Sequence, residues 1–212
     1  MLVTIPMGPL GANCYLYGEG REVVAVDPSD AEAVLVRLQT ERLTLTHILL
    51  THRHYDHLAG AAELKAAAGC ELLIHPLDEE GLFDPNVCHS TQMGGELIPC
   101  RATRLVSDGD TFEAAGHTFS VLHTPGHTAG GVCYVCHADR LAFTGDTVFS
   151  EGVGRTDLPS GSMRDLMHSL TDKILKLPEE YVLYPGHDEP TTVAHEARYN
   201  PMLQYSKNPW FN

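Results

Sequence analysis

The chain has 212 residues, 43% hydrophobic and 20% charged, which excludes disordered and fibrous classes and suits a single packed domain spanning 1–212. Its 14 basic and 28 acidic residues give a formal net charge of −14, which opposes nucleic acid and anionic membrane as partners. No apolar run reaches membrane-spanning length, and the N-terminus carries no basic residue before Arg21, so neither a membrane anchor nor a secretory signal is expected and the location expected is cytoplasmic.

Glycine and proline punctuate an alternation of β-prone and helical runs. Residues 2–5, 14–17 and 22–26 read as short strands, split by Gly8-Pro9, Gly11 and residues 18–20. Asp27-Pro28-Ser29-Asp30 is a turn ending in a good N-cap, after which Ala31, Val34, Leu35 and Leu38 recur at helical spacing. Residues 47–50 form a strand ending at Thr51, 58–68 an alanine-rich helix stopped by Gly69, and 72–74 the next strand. Residues 76–100 are less regular, broken at Asp84-Pro85-Asn86 and Gly94-Gly95, and are expected to hold a short helix and a loop bordering an active site.

Strands follow at 105–106, 118–122, 132–135 and 141–144, with Asp108-Gly109-Asp110 as a turn. Ser162 and Asp165 make a capping-box start, and Met163, Leu166, Met167, Leu170 and Ile174 form the apolar face of the helix that follows. Residues 181–184 are the last expected strand, and a short helix near 193–198 closes the chain. The break between two halves of mixed β and α character falls near 100–110, so two β-sheets pack together with helices outside. Six scattered cysteines read as reduced thiols. Cys133-Tyr134-Val135-Cys136-His137 matches a haem-attachment spacing but lies in an apolar, strand-like run, which favours a structural role.

The chemistry gathers in four islands: Thr51-His52-Arg53-His54-Tyr55-Asp56-His57, Thr124-Pro125-Gly126-His127, Thr144-Gly145-Asp146-Thr147 and Tyr184-Pro185-Gly186-His187. Each follows an apolar strand, and the last three place a glycine directly before a histidine or aspartate, where the backbone can turn tightly. His52 and His54 are two apart and can grip one ion, while Asp56 and His57 sit where the chain enters a helix and can face a second. Imidazole with carboxylate suits zinc, and also iron or manganese. The other eight histidines, among them His89 and His117, read as surface or hydrogen-bonded residues. Arg53 and Tyr55 read as solvent-facing, with the metal rim the alternative for Tyr55. Asp27 either shapes its turn or orients a ligand histidine.

These islands resemble the metallo-β-lactamase superfamily, whose pattern is His-x-His-x-Asp-His followed by separate His, Asp and His. The resemblance covers nearly the whole chain. Within that superfamily the chain is most similar to the hydroxyacylglutathione hydrolases (glyoxalase II) of the shorter bacterial type. The likeness extends to Asn13-Cys14-Tyr15, to the run at 152–161, to Pro190-Thr191-Thr192 and to Tyr199-Asn200-Pro201.

The resemblance implies an α+β fold, a four-layer αβ/βα sandwich of two mixed β-sheets flanked by helices. It implies two divalent metal ions, zinc first, with iron or manganese the alternatives. His52, His54 and His127 would hold one, Asp56, His57 and His187 the other, and Asp146 would bridge them. The activity implied is hydrolysis of a small glutathione-derived thioester, S-lactoylglutathione to lactate and glutathione, by a metal-bridging hydroxide, with Asp56 as catalytic proton acceptor as well as ligand. Arg155 is expected to contact a substrate carboxylate or to form a structural salt bridge, and Tyr55 is carried as a second candidate substrate contact.

Two departures stand out. The longer members carry a C-terminal helical domain with glutathione contacts for which this sequence has no counterpart, and Gly131 stands where many relatives have histidine. The alternatives are a persulfide dioxygenase using mononuclear iron, which shares the ligand islands and a Gly-Arg-Thr-Asp stretch like 154–157, and another esterase or lactonase of the same fold. Pro190-Thr191-Thr192 favours the hydrolase. A non-catalytic metal-binding module is disfavoured by the complete ligand set, and a nuclease by the negative charge.

Overall fold

The computed structural model describes residues 1–8 and 10–206. The first sheet opens as an antiparallel meander of β1 (Leu2–Met7), β2 (Ala12–Tyr17) and β3 (Glu22–Val26). Helix α1 (Ala31–Glu41) returns the chain so that β4 (Thr44–Leu49) lies parallel to β3. Helices α2 (Tyr55–Leu58) and α3 (Ala61–Ala68) lead to β5 (Glu71–Ile74), and β6 (Arg104–Leu105) completes the parallel edge.

The second sheet repeats this plan, although no sequence repeat announces it. Strands β7 (Thr111–Ala114), β8 (His117–His123), β9 (Val132–Cys136) and β10 (Leu141–Gly145) form an antiparallel meander. A small hairpin of β11 (Val148–Phe149) and β12 (Gly152–Val153) and helix α4 (Met163–Asp172) precede β13 (Val182–Pro185), which lies parallel to β10. Strand β14 (Thr191–Thr192) pairs antiparallel with β13 at the edge, and helices α5 (Val193–Tyr199) and α6 (Pro201–Ser206) follow.

The strands read as continuous apolar runs because both faces of each sheet are covered. In β3, Val23 and Ala25 pack under the helices with Val34, Leu38 and Leu64, whereas Val24 and Val26 face the second sheet. Between the sheets lie Tyr15, Leu49 and Leu73 against Phe119, Val121, Tyr134 and Phe143. Beneath α4, Leu166, Leu170 and Ile174 meet Val135, Ala142 and Leu183. These three apolar seams make the four layers of the expected sandwich. All six cysteines are free thiols, with Cys133 and Cys136 buried in β9. Among the described residues, no helix is long and apolar enough to cross a membrane.

Several local expectations are corrected. The single helix over 58–68 is two helices that begin earlier, at Tyr55, and break at Gly60. A Cβ at Gly60 would stand 2.6 Å from the Ala31 nitrogen, so close contact with the start of α1 sets the break. The irregular 76–100 segment holds a short helix and a loop as expected, the helix being of 3-10 type, Glu79–Leu82. Strand β7 was missed, although its exposure alternates cleanly, as was the β11–β12 hairpin. Residues 181–184 are not the last strand and 193–198 not the last helix, because β14 and α6 follow.

Candidate metal centre

Five strands end on one rim of the sandwich, and the candidate ligands lie just past those ends. Asp27 follows β3, the cluster 51–57 follows β4, His127 lies beyond β8, Asp146 directly follows β10 and His187 lies beyond β13. The two sheets are tied together there. Asn13 donates its side-chain amide to the Pro185 and Asp188 carbonyls at 3.1 and 2.8 Å, and the Tyr15 hydroxyl donates to Pro185 at 2.6 Å. That accounts physically for the Asn13-Cys14-Tyr15 motif: it fixes the turn that carries His187.

The structure brings all seven candidate ligands together as two groups. In His52, His54 and His127, and again in Asp56, His57 and His187, the ligand atoms lie within 4.8 Å of one another. Asp146 stands between the groups. Its Oδ1 is 3.4 Å from His57 Nε2, and its Oδ2 is 3.4 Å from His127 Nε2 and 3.7 Å from His187 Nε2. Asp56 Oδ2 lies 3.6 Å from His57 Nε2 and 3.4 Å from His187 Nε2.

The outer hydrogen bonds decide which nitrogens face inward. His127 Nδ1 donates to the Arg155 carbonyl at 2.8 Å and His187 Nδ1 to the Leu10 carbonyl at 3.2 Å. His57 Nδ1 donates to Asp27 Oδ2 at 3.1 Å. The Thr51 hydroxyl donates to Asp27 Oδ2 at 2.6 Å and therefore accepts from His52 Nδ1 at 3.0 Å. In the neutral imidazoles, all four Nε2 atoms then present bare lone pairs to the centre. Lone pairs facing carboxylate oxygens repel unless a proton or a metal ion lies between them. His52 Nε2, His57 Nε2 and Asp146 Oδ1 are indeed buried without a hydrogen-bond partner. This donor set fits divalent metal.

The electrostatics of the two groups differ. Burial, then the neighbouring imidazoles, push His52 well below the ordinary histidine range, and the same causes bring His54 to about 2. Burial also pulls His57 down, but Asp146, Asp27 and Asp56 outweigh it and hold the ring at about 10. His187 is likewise raised, burial being outweighed by Asp56 and Asp146. Asp56 is held below the usual carboxylate range: burial opposes this, but His187 and His57 prevail.

A metal ion entering the Asp56–His57–His187 group must displace protons, and that competition fades as pH rises towards about 10. Affinity for the ion at this group is therefore expected to rise with pH by roughly tenfold per unit for each proton displaced. Zinc titration against a chelator between about pH 6 and about pH 9 checks this; a flat profile would contradict it.

Close approach also constrains the rim. A Cβ at Gly186 would stand 2.2 Å from Asp146 Oδ1 and 2.7 Å from His57 Cε1. Gly186→Ala is expected to push the Asp146 carboxylate aside and lower activity by about 100-fold with the thermal transition little changed. Metal analysis with a melting curve tests this, and full metal content with native activity would count against it.

The remaining candidates lie around this centre. Arg155 is exposed and makes a bidentate pair with Asp157, both contacts at 2.7 Å, while its carbonyl holds His127. Tyr55 gives its hydroxyl to the Glu96 carbonyl at 3.1 Å and lines an open groove of about 540 Å³ with Asp30, Glu32 and Glu63. Arg53 is not solvent-facing. It is buried and donates to the Pro159 carbonyl and Ser160 hydroxyl, both at 2.8 Å.

Three supporting carboxylates carried no clear signal in the sequence. Asp27 was open between two roles and holds both Thr51 and His57. Asp78, fully buried, accepts from the Thr128 hydroxyl at 2.6 Å and from the Gly130 and Arg53 amides, fixing the loop that carries His127. Buried Glu196 accepts from Thr191, Asn200 and the Glu151 amide, which ties the 190–192 and 199–201 motifs to the β11–β12 hairpin.

Two imidazole–carboxylate groups sharing one aspartate at the strand ends of a four-layer sandwich define a class of metal-binding αβ/βα protein. The chain belongs to the metallo-beta-lactamase superfamily, whose model matches residues 7–187; its members are generally metal-dependent hydrolases. It is 33% identical to the hydroxyacylglutathione hydrolase GloC of Haemophilus influenzae, over 94% of this chain and 96% of the relative. The crystal structure of the B3 metallo-beta-lactamase BLEG-1 superposes with a TM-score of 0.91 at 36% identity, covering 96% of this chain and 99% of the other. That of TTHA1623 in a di-iron-bound form gives 0.84 at 36% identity, covering 95% and 100%.

Proposed function

We propose that this chain is a cytoplasmic metal-dependent thioester hydrolase with two divalent ions, zinc first, acting on a small acylated thiol of the S-lactoylglutathione type. The observation that carries the reading is the Asp146 carboxylate, set between two ligand groups with Oδ1 facing His57 and Oδ2 lying between His127 and His187. The likeness to a hydroxyacylglutathione hydrolase supports the thioester, and the di-iron form of a similar structure supports two ions.

When bound, two ions stabilise hydroxide at neutral pH and polarise a carbonyl oxygen. The chain's own residues do the rest. Asp56 and His187 are the more open members, 16% and 21% exposed against 0% for His57, so substrate approaches from their side. Asp56, held ionised, takes the proton of the attacking water and returns it to the departing thiolate. Arg155, on the segment that braces His127, exchanges Asp157 for a substrate carboxylate.

A second reading, hydrolysis of a β-lactam amide, is favoured by the likeness to BLEG-1. Zinc-loaded protein assayed on S-lactoylglutathione and on a cephalosporin separates the two. The thioester is expected to be preferred by at least about 100-fold in kcat/KM, and a reversed preference would overturn the proposal.

A further inference from the structure

Four of the five site histidines have an outer hydrogen-bond partner: Thr51, Asp27, Arg155 and Leu10 serve His52, His57, His127 and His187. His54 differs. Its Nδ1 faces His127 Nε2 at 2.8 Å, so with Nδ1 given to an ion the ring carries its proton on Nε2. That Nε2 is buried and has no partner. Beside it stands His89, with ring centroids 5.2 Å apart and planes 50° apart. The His89 Nε2 is likewise buried and unpartnered. One ring lacks an acceptor, and the other offers a nitrogen with nothing bound to it.

The backbone underlines the placement. His89 has φ of 66°, in the left-handed region that residues other than glycine rarely enter. Its neighbour Cys88 accepts the Tyr55 amide at 2.9 Å, which ties this loop to the ligand-bearing helix α2.

We propose that His89 is a positioning residue for His54. Its Nε2 accepts the His54 Nε2 proton through one bridging water, and so fixes the tautomer that turns Nδ1 towards the first ion. This rests on His54 being a metal ligand.

The test compares His89→Leu with His89→Gln. Both carry the same left-handed strain, but only glutamine offers an acceptor near the Nε2 position. Zinc affinity at the His52–His54–His127 group, measured by chelator competition, is expected to fall by about 10- to 100-fold in His89→Leu and to return to within about threefold of native in His89→Gln. In imidazole ¹H–¹⁵N spectra of the zinc-loaded native chain, the His54 proton is expected on Nε2. Equal affinities in the two variants, or a His54 proton on Nδ1, would overturn the proposal while leaving the hydrolase reading in place. A native chain that binds no zinc would overturn both.

Discussion

Replacing Asp56 with alanine is expected to lower thioester turnover by about 100- to 10,000-fold with the fold intact. Asp56 lies at the start of the short helix α2, and its carboxylate faces His57 and His187 rather than the core. No apolar seam loses an atom with it. Removing the carboxylate takes away a ligand and the proton acceptor on the open side together. Asp56→Asn, which keeps the size and one oxygen, separates the two: it should hold more metal than the alanine variant and remain nearly as slow. Rates measured alongside metal content decide the matter. Near-native turnover with both ions bound would remove Asp56 from the mechanism.

Asp27→Ala is expected to act on stability as well as on the site. This carboxylate accepts from the Thr51 amide at 2.8 Å, the Thr51 hydroxyl at 2.6 Å and His57 Nδ1 at 3.1 Å, and the residue is buried. Truncation strands three buried donors, and alanine must also adopt φ of 50°, which aspartate and asparagine tolerate better. A loss of about 2–4 kcal/mol is expected in urea unfolding of the metal-free chain, together with weakened binding at the His57 group. Asp27→Asn keeps an acceptor and the backbone preference and should lose about half as much. A change below about 1 kcal/mol in Asp27→Ala would show that the three bonds do not anchor the rim.

Much of this arrangement was legible in the sequence because its signals are local. Most strands of both sheets announce themselves as apolar runs between glycines and prolines, and each candidate ligand lies a few residues past one of them. The ligand islands keep their spacing whatever surrounds them. What stayed hidden depends on contacts distant in sequence. Arg53 looks solvent-facing until residues 159–160 arrive to accept its guanidinium. Asp78 lies in an irregular stretch and acquires a role only when residues 128–130 fold over it. Gly60 reads as an ordinary helix residue because the reason for the break is the start of α1. His89 reads as one of eight unremarkable histidines until its ring is seen beside His54. Strand β7 is the one miss the sequence itself could have prevented, since Thr111-Phe112-Glu113-Ala114 alternates with period two.

The most direct test of the central claim is the rate of S-lactoylglutathione loss by the purified chain as zinc is added stepwise to the metal-free protein, with and without oxygen. The account predicts oxygen-independent hydrolysis that rises steeply as occupancy passes from about one to about two ions per chain. No thioester loss with two ions bound would contradict the account, as would persulfide-dependent oxygen consumption by protein carrying a single iron.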